Sequence, residues 1–146
     1  MTDDGVVDVI RRATARDSLE HLSGAALSRA QSARGGPALL EQLWGSDVDS
    51  DKVRSELAAE VAAGHVWVAQ HGDEIIAGAL VVDRCIRAIW VQFASRRRKV
   101  ATTLLNALLT SDDPPRDAWA LPGDRATKSL YESVGWKARL LTMRGA

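Results

Sequence analysis

The chain has 146 residues, a length typical of one domain that buries a full hydrophobic core without disulfides or metal ions. Apolar residues make up 46% and charged residues 26%, and nineteen basic side chains balance nineteen acidic ones, so there is no net positive charge to attract nucleic acid or a membrane surface. The sequence contains no apolar run of roughly 20 residues and no signal-peptide pattern, and its single cysteine, Cys85, fits a reducing compartment. We therefore expect one domain over residues 1–146, located in the cytoplasm.

The N-terminal part is predicted to form a strand followed by helices. Apolar residues favour a short strand over Val6–Arg11, and Thr14 with Asp17 resembles a capping box that opens a helix. Pro37 fits the first position of a short helical segment that reaches Trp44.

An acidic stretch precedes the next predicted helix. Aspartates alternate over Asp47–Asp51 as they do at the start of a calcium-binding loop, but Lys52 stands where that loop needs glycine and Ala58 where it needs a bidentate glutamate. We interpret these acids as the N-terminal residues of a helix that runs to about Ala63 and stops at Gly64, and we predict no metal site.

Strands dominate the middle of the chain. Val66–Ala69 leads into a hairpin turn, and Ile75–Val82 is an apolar run without polar alternation, which is typical of a strand buried on both faces. Ile86–Phe93 would complete an antiparallel meander.

The C-terminal part alternates between helices and strands. The predicted elements are a helix over Lys99–Leu109, a strand over Ala118–Leu121, a helix that begins after Asp124 and ends at Gly135, and a strand over Trp136–Met143. The resulting order, β-α-α-α-β-β-β-α-β-α-β, predicts an α/β fold with a mixed central sheet, in which an antiparallel meander is followed by a β-α-β crossover, flanked by helices.

A basic turn between a strand and a helix is the most informative local feature. Six cations and no acid lie in the segment Arg84–Lys99, and four of the cations are consecutive just before the helix. The first N–H groups of a helix have no intrahelical partner and carry partial positive charge, so this turn predicts a phosphate site. A basic run is also compatible with a solvated face or a nucleic-acid patch.

Four segments of the chain resemble the GCN5-related N-acetyltransferase (GNAT) family. The segments Ile10–Asp17 and Val66–Val82 resemble the opening and the central hairpin of that family, and Asp124–Trp136 resembles its Asn-x-x-Ala-x-x-Leu-Tyr-Glu-x-x-Gly-Phe motif. Val91–Leu105 resembles the coenzyme-binding motif Arg/Gln-x-x-Gly-x-Gly/Ala, although Lys99 replaces its first glycine. A lysine there can still donate its backbone N–H to phosphate if its φ is negative.

The resemblance implies that acetyl-CoA is the cosubstrate and that a primary amine of a small molecule or peptide is the acceptor. The Val91 N–H would polarise the acetyl carbonyl, and Tyr131, the only tyrosine, would donate a proton to the departing sulfur. The alternative interpretation is that Tyr131 is a core aromatic on its helix. The implied coenzyme-binding residues are Val91, Phe93, Arg96, Arg97, Arg98, Lys99, Val100, Ala101, Thr102, Asp124 and Tyr131.

The acceptor side is less defined by sequence. No acid or histidine lies in the strand before the basic turn, and we expect the carboxylates and histidines elsewhere to be surface groups. Those that are in principle available as a base are Glu56, Glu60, Asp83, His65 and His71. Trp44, in the acidic region, is a weak candidate for contact with the acceptor.

Two other functions remain open at this stage. One is a catalytically weak or inactive GNAT-fold domain that senses acyl-CoA or binds a partner protein, and the other is a polyanion-binding module. We expect no nucleic-acid or membrane partner, and either a monomer or a homodimer.

Overall fold

The computed structural model describes residues 7–17, 49–92, 95–96, 98–120 and 125–137. In chain order the elements are β1 (Val9–Arg12), α1 (Ser50–Ala62), β2 (Val66–His71), β3 (Glu74–Val82), β4 (Cys85–Val91), α2 (Val100–Leu109), β5 (Asp117–Ala118) and α3 (Arg125–Ser133). Within these ranges no helix is both long and apolar enough to cross a bilayer.

The five strands form one mixed sheet in the spatial order β1-β2-β3-β4-β5. The first four strands are antiparallel neighbours, whereas β5 pairs in parallel with β4 after the crossover through α2. The predicted α/β class, with a meander followed by a β-α-β crossover, is therefore confirmed.

The sheet separates two apolar clusters. On one face, α1 contributes Leu57 and Val61, which pack with Val68, Leu80 and Trp90. The other face carries the larger cluster, where α2 and α3 pack on the sheet; its members include Ile76, Ile89, Val100, Leu104, Leu105, Leu108 and Tyr131. Residues 76–80 of β3 are buried in sequence, as expected for a strand covered on both faces.

Both ends of α1 follow from its sequence. Asp49 is the N-cap, and its carboxylate accepts a hydrogen bond of 2.8 Å from the Lys52 N–H. At the other end Gly64 adopts φ +79°, which glycine adopts without steric cost, and its N–H donates to the Val61 carbonyl. The interpretation of Asp49 and Asp51 as the N-terminal residues of a helix is thus confirmed, whereas Asp47 lies outside the described residues.

Several predicted strand boundaries differ from the structure. β1 starts and ends later than predicted, because Val9–Arg12 is the stretch that pairs with β2. β2 continues to His71, since a bulge at Ala69/Gln70 keeps it paired to β3 up to the tight turn at Gly72.

The C-terminal strand predictions are wrong in their described parts. β5 contains only two residues and ends at Ala118. Trp136 and Lys137 are not in a strand: the Trp136 N–H donates to the Tyr131 carbonyl, and its ring stacks on Tyr131 with centroids 5.8 Å apart. The remainder of the predicted last strand, and the two predicted helices between Asp17 and Trp44, lie outside the described residues.

Candidate active site

The site begins where β4 and β5 separate. Their paired residues are Cys85 with Asp117 and Ile86 with Ala118, and the Trp119 N–H adds a bond to the Ile86 carbonyl at 2.9 Å. β4 then runs on to Val91 beside β3, while β5 has ended. The divergence opens the sheet beside the second half of β4.

The backbone of Val91 is directed into this opening. The next residue, Gln92, donates its N–H to the Ile76 carbonyl on β3 at 2.8 Å. Because successive N–H groups of a strand point to opposite edges, the Val91 N–H faces the edge that β5 has left. The Val91 carbonyl lies on the same edge and accepts a hydrogen bond from Arg96 Nε at 3.4 Å.

The helix that follows starts without a capping side chain. Lys99 is the N-cap of α2, it makes no side-chain capping bond, and the first turn contains no acid. The first α-helical bond of this terminus runs from the Thr103 N–H to the Lys99 carbonyl at 2.9 Å, so the N–H groups of Val100, Ala101 and Thr102 belong to the orphan first turn. Such a terminus favours an anion.

Lys99 has a glycine-like backbone. Its φ is +59° and its ψ 22°, which is the left-handed region that L-residues avoid. The condition under which Lys99 would donate its own backbone N–H, a negative φ, is therefore not met. The turn keeps the backbone shape that the family motif supplies with glycine, and the substitution adds a cation and local strain.

The cations divide between the two ends of β4. Arg96, Arg98 and Lys99 are exposed at the α2 start. At the other end Arg84 contacts Asp113 at 3.3 Å, and the Arg87 guanidinium lies 4.6 Å from the Trp119 ring. Since a seven-residue strand is roughly 20 Å long, the basic segment does not form a single contiguous patch.

A cavity of about 590 Å³ occupies the opening. Its walls come from the end of β4, the basic turn, the first turn of α2 and one side of α3. The described lining residues are Ile89, Trp90, Val91, Ser95, Arg96, Lys99, Val100, Ala101, Thr102, Ala126, Thr127, Ser129, Leu130 and Ser133.

Six of the predicted coenzyme-binding residues therefore line one cavity, namely Val91, Arg96, Lys99, Val100, Ala101 and Thr102. Arg98 is exposed in the same turn, and Phe93, Arg97 and Asp124 lie outside the described residues. Sequence reasoning missed the α3 wall. Ala126, Ser129 and Ser133 recur at three- and four-residue spacing, which places small side chains on one helix face and was the available signal.

Tyr131 lies beside this wall and is not among the described lining residues. Its side chain is buried, 6% exposed, in the cluster under α2 and α3, and its ring stacks on Trp136. Thr127, one turn earlier on the same face, is buried and does line the cavity. The ring of Tyr131 thus has the packing of a core aromatic next to the site.

The other candidate bases occupy separate places. Glu60 contacts His65 Nδ1 at 3.0 Å, His71 lies 3.7 Å from Asp8, and Asp83 lies 4.0 Å from Arg87. Glu56 pairs with Lys52 on α1. None of the five is among the described residues that line this cavity.

Three other features of the sequence analysis can be compared with the described part of the chain. It contains no group of three or more His, Cys, Asp or Glu side chains placed to hold a metal ion. Trp44 lies outside it. Cys85 is buried, and burial raises the pKa of its thiol, so the nucleophilic thiolate is disfavoured.

Comparisons with known proteins identify the fold of the chain. No family model matches the chain, and no curated protein matches it in sequence. The aminoglycoside N-acetyltransferase AAC(6')-Iy, solved with CoA, matches with a TM-score of 0.60 and 19% identity, over 94% of this chain and 93% of that one.

Two other solved structures agree. The ribosomal-protein-alanine N-acetyltransferase from Brucella melitensis matches with a TM-score of 0.63 and 20% identity, over 88% of this chain and 83% of that one. An N-acetyltransferase from Staphylococcus aureus Mu50 matches with a TM-score of 0.65 and 13% identity, over 90% and 92%. These likenesses, together with the divergence of β4 from β5 and the turn into α2, show that the chain has the GCN5-related N-acetyltransferase fold.

Proposed function

We propose that the protein is an N-acetyltransferase that moves an acetyl group from acetyl-CoA to a primary amine of a small molecule or peptide. The observation that carries this proposal is the cavity between the end of β4 and the uncapped start of α2. The cavity brings together the Val91 N–H, the N–H groups of the first turn of α2 and exposed cations. These groups can bind the carbonyl oxygen and the phosphates of a phosphorylated thioester. A solved protein of the same fold holds CoA, which supports the choice of cosubstrate.

The start of α2 would hold the pyrophosphate. The N–H groups of Val100, Ala101 and Thr102 supply direct hydrogen bonds, and the helix dipole adds partial positive charge. Arg96 and Arg98 strengthen the field without having to contact the same oxygen atoms. Exposed cations contribute most to affinity at low ionic strength.

The reaction would proceed at the end of β4. The neutral amine nitrogen attacks the thioester carbonyl carbon, the C–N bond forms, and the C–S bond breaks. The Val91 N–H donates to the carbonyl oxygen as it becomes negative. Tyr131 would give its hydroxyl proton to the leaving sulfur and recover a proton from the nitrogen through water, so that the amide and the free thiol are the products.

Calorimetric titration with acetyl-CoA tests the binding step. Arg96→Ala with Arg98→Ala should weaken binding by about 1–3 kcal/mol, the scale of charge-assisted hydrogen bonds. The matched control is Lys52→Ala with Arg54→Ala, which removes two cations from surface pairs on α1 and should leave affinity unchanged. Equal affinity for both double variants would place the phosphates elsewhere.

Two further measurements complete the test. Mass spectrometry of reactions with a panel of primary amines should show products heavier by one acetyl group. A short oligonucleotide titrated at two salt concentrations should bind weakly or not at all; oligonucleotide binding tighter than that of acetyl-CoA would favour the polyanion-binding alternative.

One observation favours a second candidate function, an acyl-CoA sensor without catalysis. Tyr131 is packed in the core rather than among the described cavity residues, so the acid that the reaction needs is not presented openly. Tight acetyl-CoA binding with no acetylated product from the amine panel would support the sensor.

A further inference from the structure

A second cavity of about 510 Å³ lies at the same end of the sheet. Its described lining contains both acidic and basic side chains, whereas the described lining of the cavity at the start of α2 contains cations and no acid. The side chains that matter for its chemistry are Arg11, Arg16, Asp17, Asp73, Glu74 and Gln92.

The linings of the two cavities include consecutive residues at the end of β4. Gln92 lines the second cavity, and Val91, the preceding residue, lines the first. Consecutive side chains of an extended chain point to opposite faces. The Gln92 side chain therefore lies on the face opposite that of Val91, and a molecule in the second cavity would approach the end of β4 from that face.

One acid in this cavity is already neutralised. The Asp17 carboxylate accepts hydrogen bonds of 2.7 and 2.8 Å from the Arg11 guanidinium, and the Thr14 N–H adds a third at 2.7 Å. The Arg11 hydrogen bond lowers the pKa of Asp17 to about 2. Arg11 and Asp17 thus form a closed ion pair that contributes a wall and little net charge.

Glu74 is held differently. Its Oε1 accepts a hydrogen bond of 2.6 Å from the Gln92 side-chain amide. Its Oε2 takes no hydrogen bond from the described residues, and the side chain makes no ion pair with them. Among the described lining residues, and with the closed pair set aside, Glu74 and the neighbouring Asp73 give two carboxylates against the one cation of Arg16.

We propose that Glu74 is the specificity-determining residue for the acceptor, with its Oε2, which takes no hydrogen bond from the described residues, binding the ammonium group of an alkyl amine in the second cavity. The Gln92 amide fixes the carboxylate and ties it to the residue next to Val91. The inference rests on the proposed function and names its substrate class as alkyl primary amines that are cationic at neutral pH. A neutral molecule of the same shape can donate only an uncharged hydrogen bond to this carboxylate, which is roughly half as strong as a charge-assisted one.

The test uses the full chain and a binding readout that does not depend on turnover. The probes are 1,4-diaminobutane and its uncharged analogue 1,4-butanediol, titrated against nitrogen-15-labelled protein. The side-chain amide signals of Gln92 report directly on the hydrogen bond to Glu74. The variants are Glu74→Gln, which keeps the shape and removes the charge, and Glu132→Gln, which removes an exposed charge from α3.

The diamine should shift the Gln92 amide signals saturably, and the diol should not. Glu74→Gln should weaken diamine binding by about tenfold, the scale of one charge-assisted hydrogen bond, whereas Glu132→Gln should change it less than twofold. A backbone spectrum of Glu74→Gln that matches the parent apart from signals near residue 74 shows that the fold is intact. If that variant fails to fold, Glu74→Asp takes its place, with weakened diamine binding expected.

Three results would overturn the inference: no diamine binding at millimolar concentration, equal binding by Glu74→Gln, or equal binding of the diol. Acetyl-CoA titrated into the same samples separates the two proposals. Acetyl-CoA binding without diamine binding would remove only the role of Glu74, whereas failure of acetyl-CoA to bind would remove the proposed function.

Discussion

Replacing Lys99 by glycine should stabilise the protein. Lys99 has φ +59°, a conformation that costs an L-residue about 1–2 kcal/mol and costs glycine nothing. Glycine loses about 0.5–1 kcal/mol more conformational entropy on folding. The difference is a gain of about 0.5–1 kcal/mol, which corresponds to a rise in melting temperature of roughly 1–4 °C for a domain of this size.

The assay is thermal and urea unfolding of Lys99→Gly beside Lys99→Ala. Alanine removes the same charge but keeps the β-carbon and therefore the backbone strain, so the difference between the two variants isolates the φ effect. We expect the glycine variant to be more stable than the alanine variant by about 1 kcal/mol. A glycine variant that is equal to or less stable than the alanine variant would show that the positive φ of Lys99 does not strain the backbone.

The same pair of variants tests how the turn would hold phosphate. If the backbone of α2 is the main ligand, both variants should bind acetyl-CoA within a few-fold of the parent protein. A loss of tenfold or more in both, about 1.4 kcal/mol, would make the Lys99 ammonium a principal phosphate ligand.

Three further predictions concern single positions. Tyr131→Phe should lower turnover roughly 10²-fold at nearly unchanged acetyl-CoA affinity if the hydroxyl is the acid; intact turnover with a loss of about 1 kcal/mol in stability would leave Tyr131 a core aromatic. Asp17→Asn should lower the free energy of unfolding by about 1–2 kcal/mol at pH 7. Because the pKa of Asp17 falls from 3.8 to about 2 on folding, the unfolding curves of mutant and parent should converge as the pH drops from 4 to 2. A difference in stability that persists at pH 2 would contradict a stabilising Arg11–Asp17 ion pair. Gly78→Ala should lower the free energy of unfolding by about 1–3 kcal/mol, because the new methyl group would lie 3.1 Å from the Trp90 ring. This loss of stability should be smaller in a Trp90→Phe background, which lacks the three contacting indole atoms. An unchanged loss would mean that the strain lies elsewhere.

The elements of the fold were accessible from sequence where one local signal dominates. α2 was predicted within one residue because Val100, Leu104 and Leu108 recur at helical spacing, and all three are buried. β3 was identified by an apolar run that only a doubly covered strand tolerates. The length of β5 was not predicted correctly. It depends on the residue at which β5 stops pairing with β4, which is set by tertiary structure and has no local sequence signal.

The candidate site divides in the same way. The basic turn and the helix start were visible as a pattern, and the resemblance supplied Val91. The positive φ of Lys99 could not be read from the sequence, because a lysine normally indicates negative φ and the surrounding turn overrides that preference. Glu74 could not be found from sequence, since its bond to Gln92 joins residues eighteen positions apart through sheet register.

Nuclear magnetic resonance of the backbone amides during acetyl-CoA titration would show directly whether acetyl-CoA binds between the end of β4 and the start of α2. Binding should be saturable, with the largest shifts at the N–H groups of Val91, Val100, Ala101 and Thr102, and with little change at residues 66–69 of β2. Binding with its largest shifts away from β4 and α2, or no binding at millimolar acetyl-CoA, would contradict this prediction.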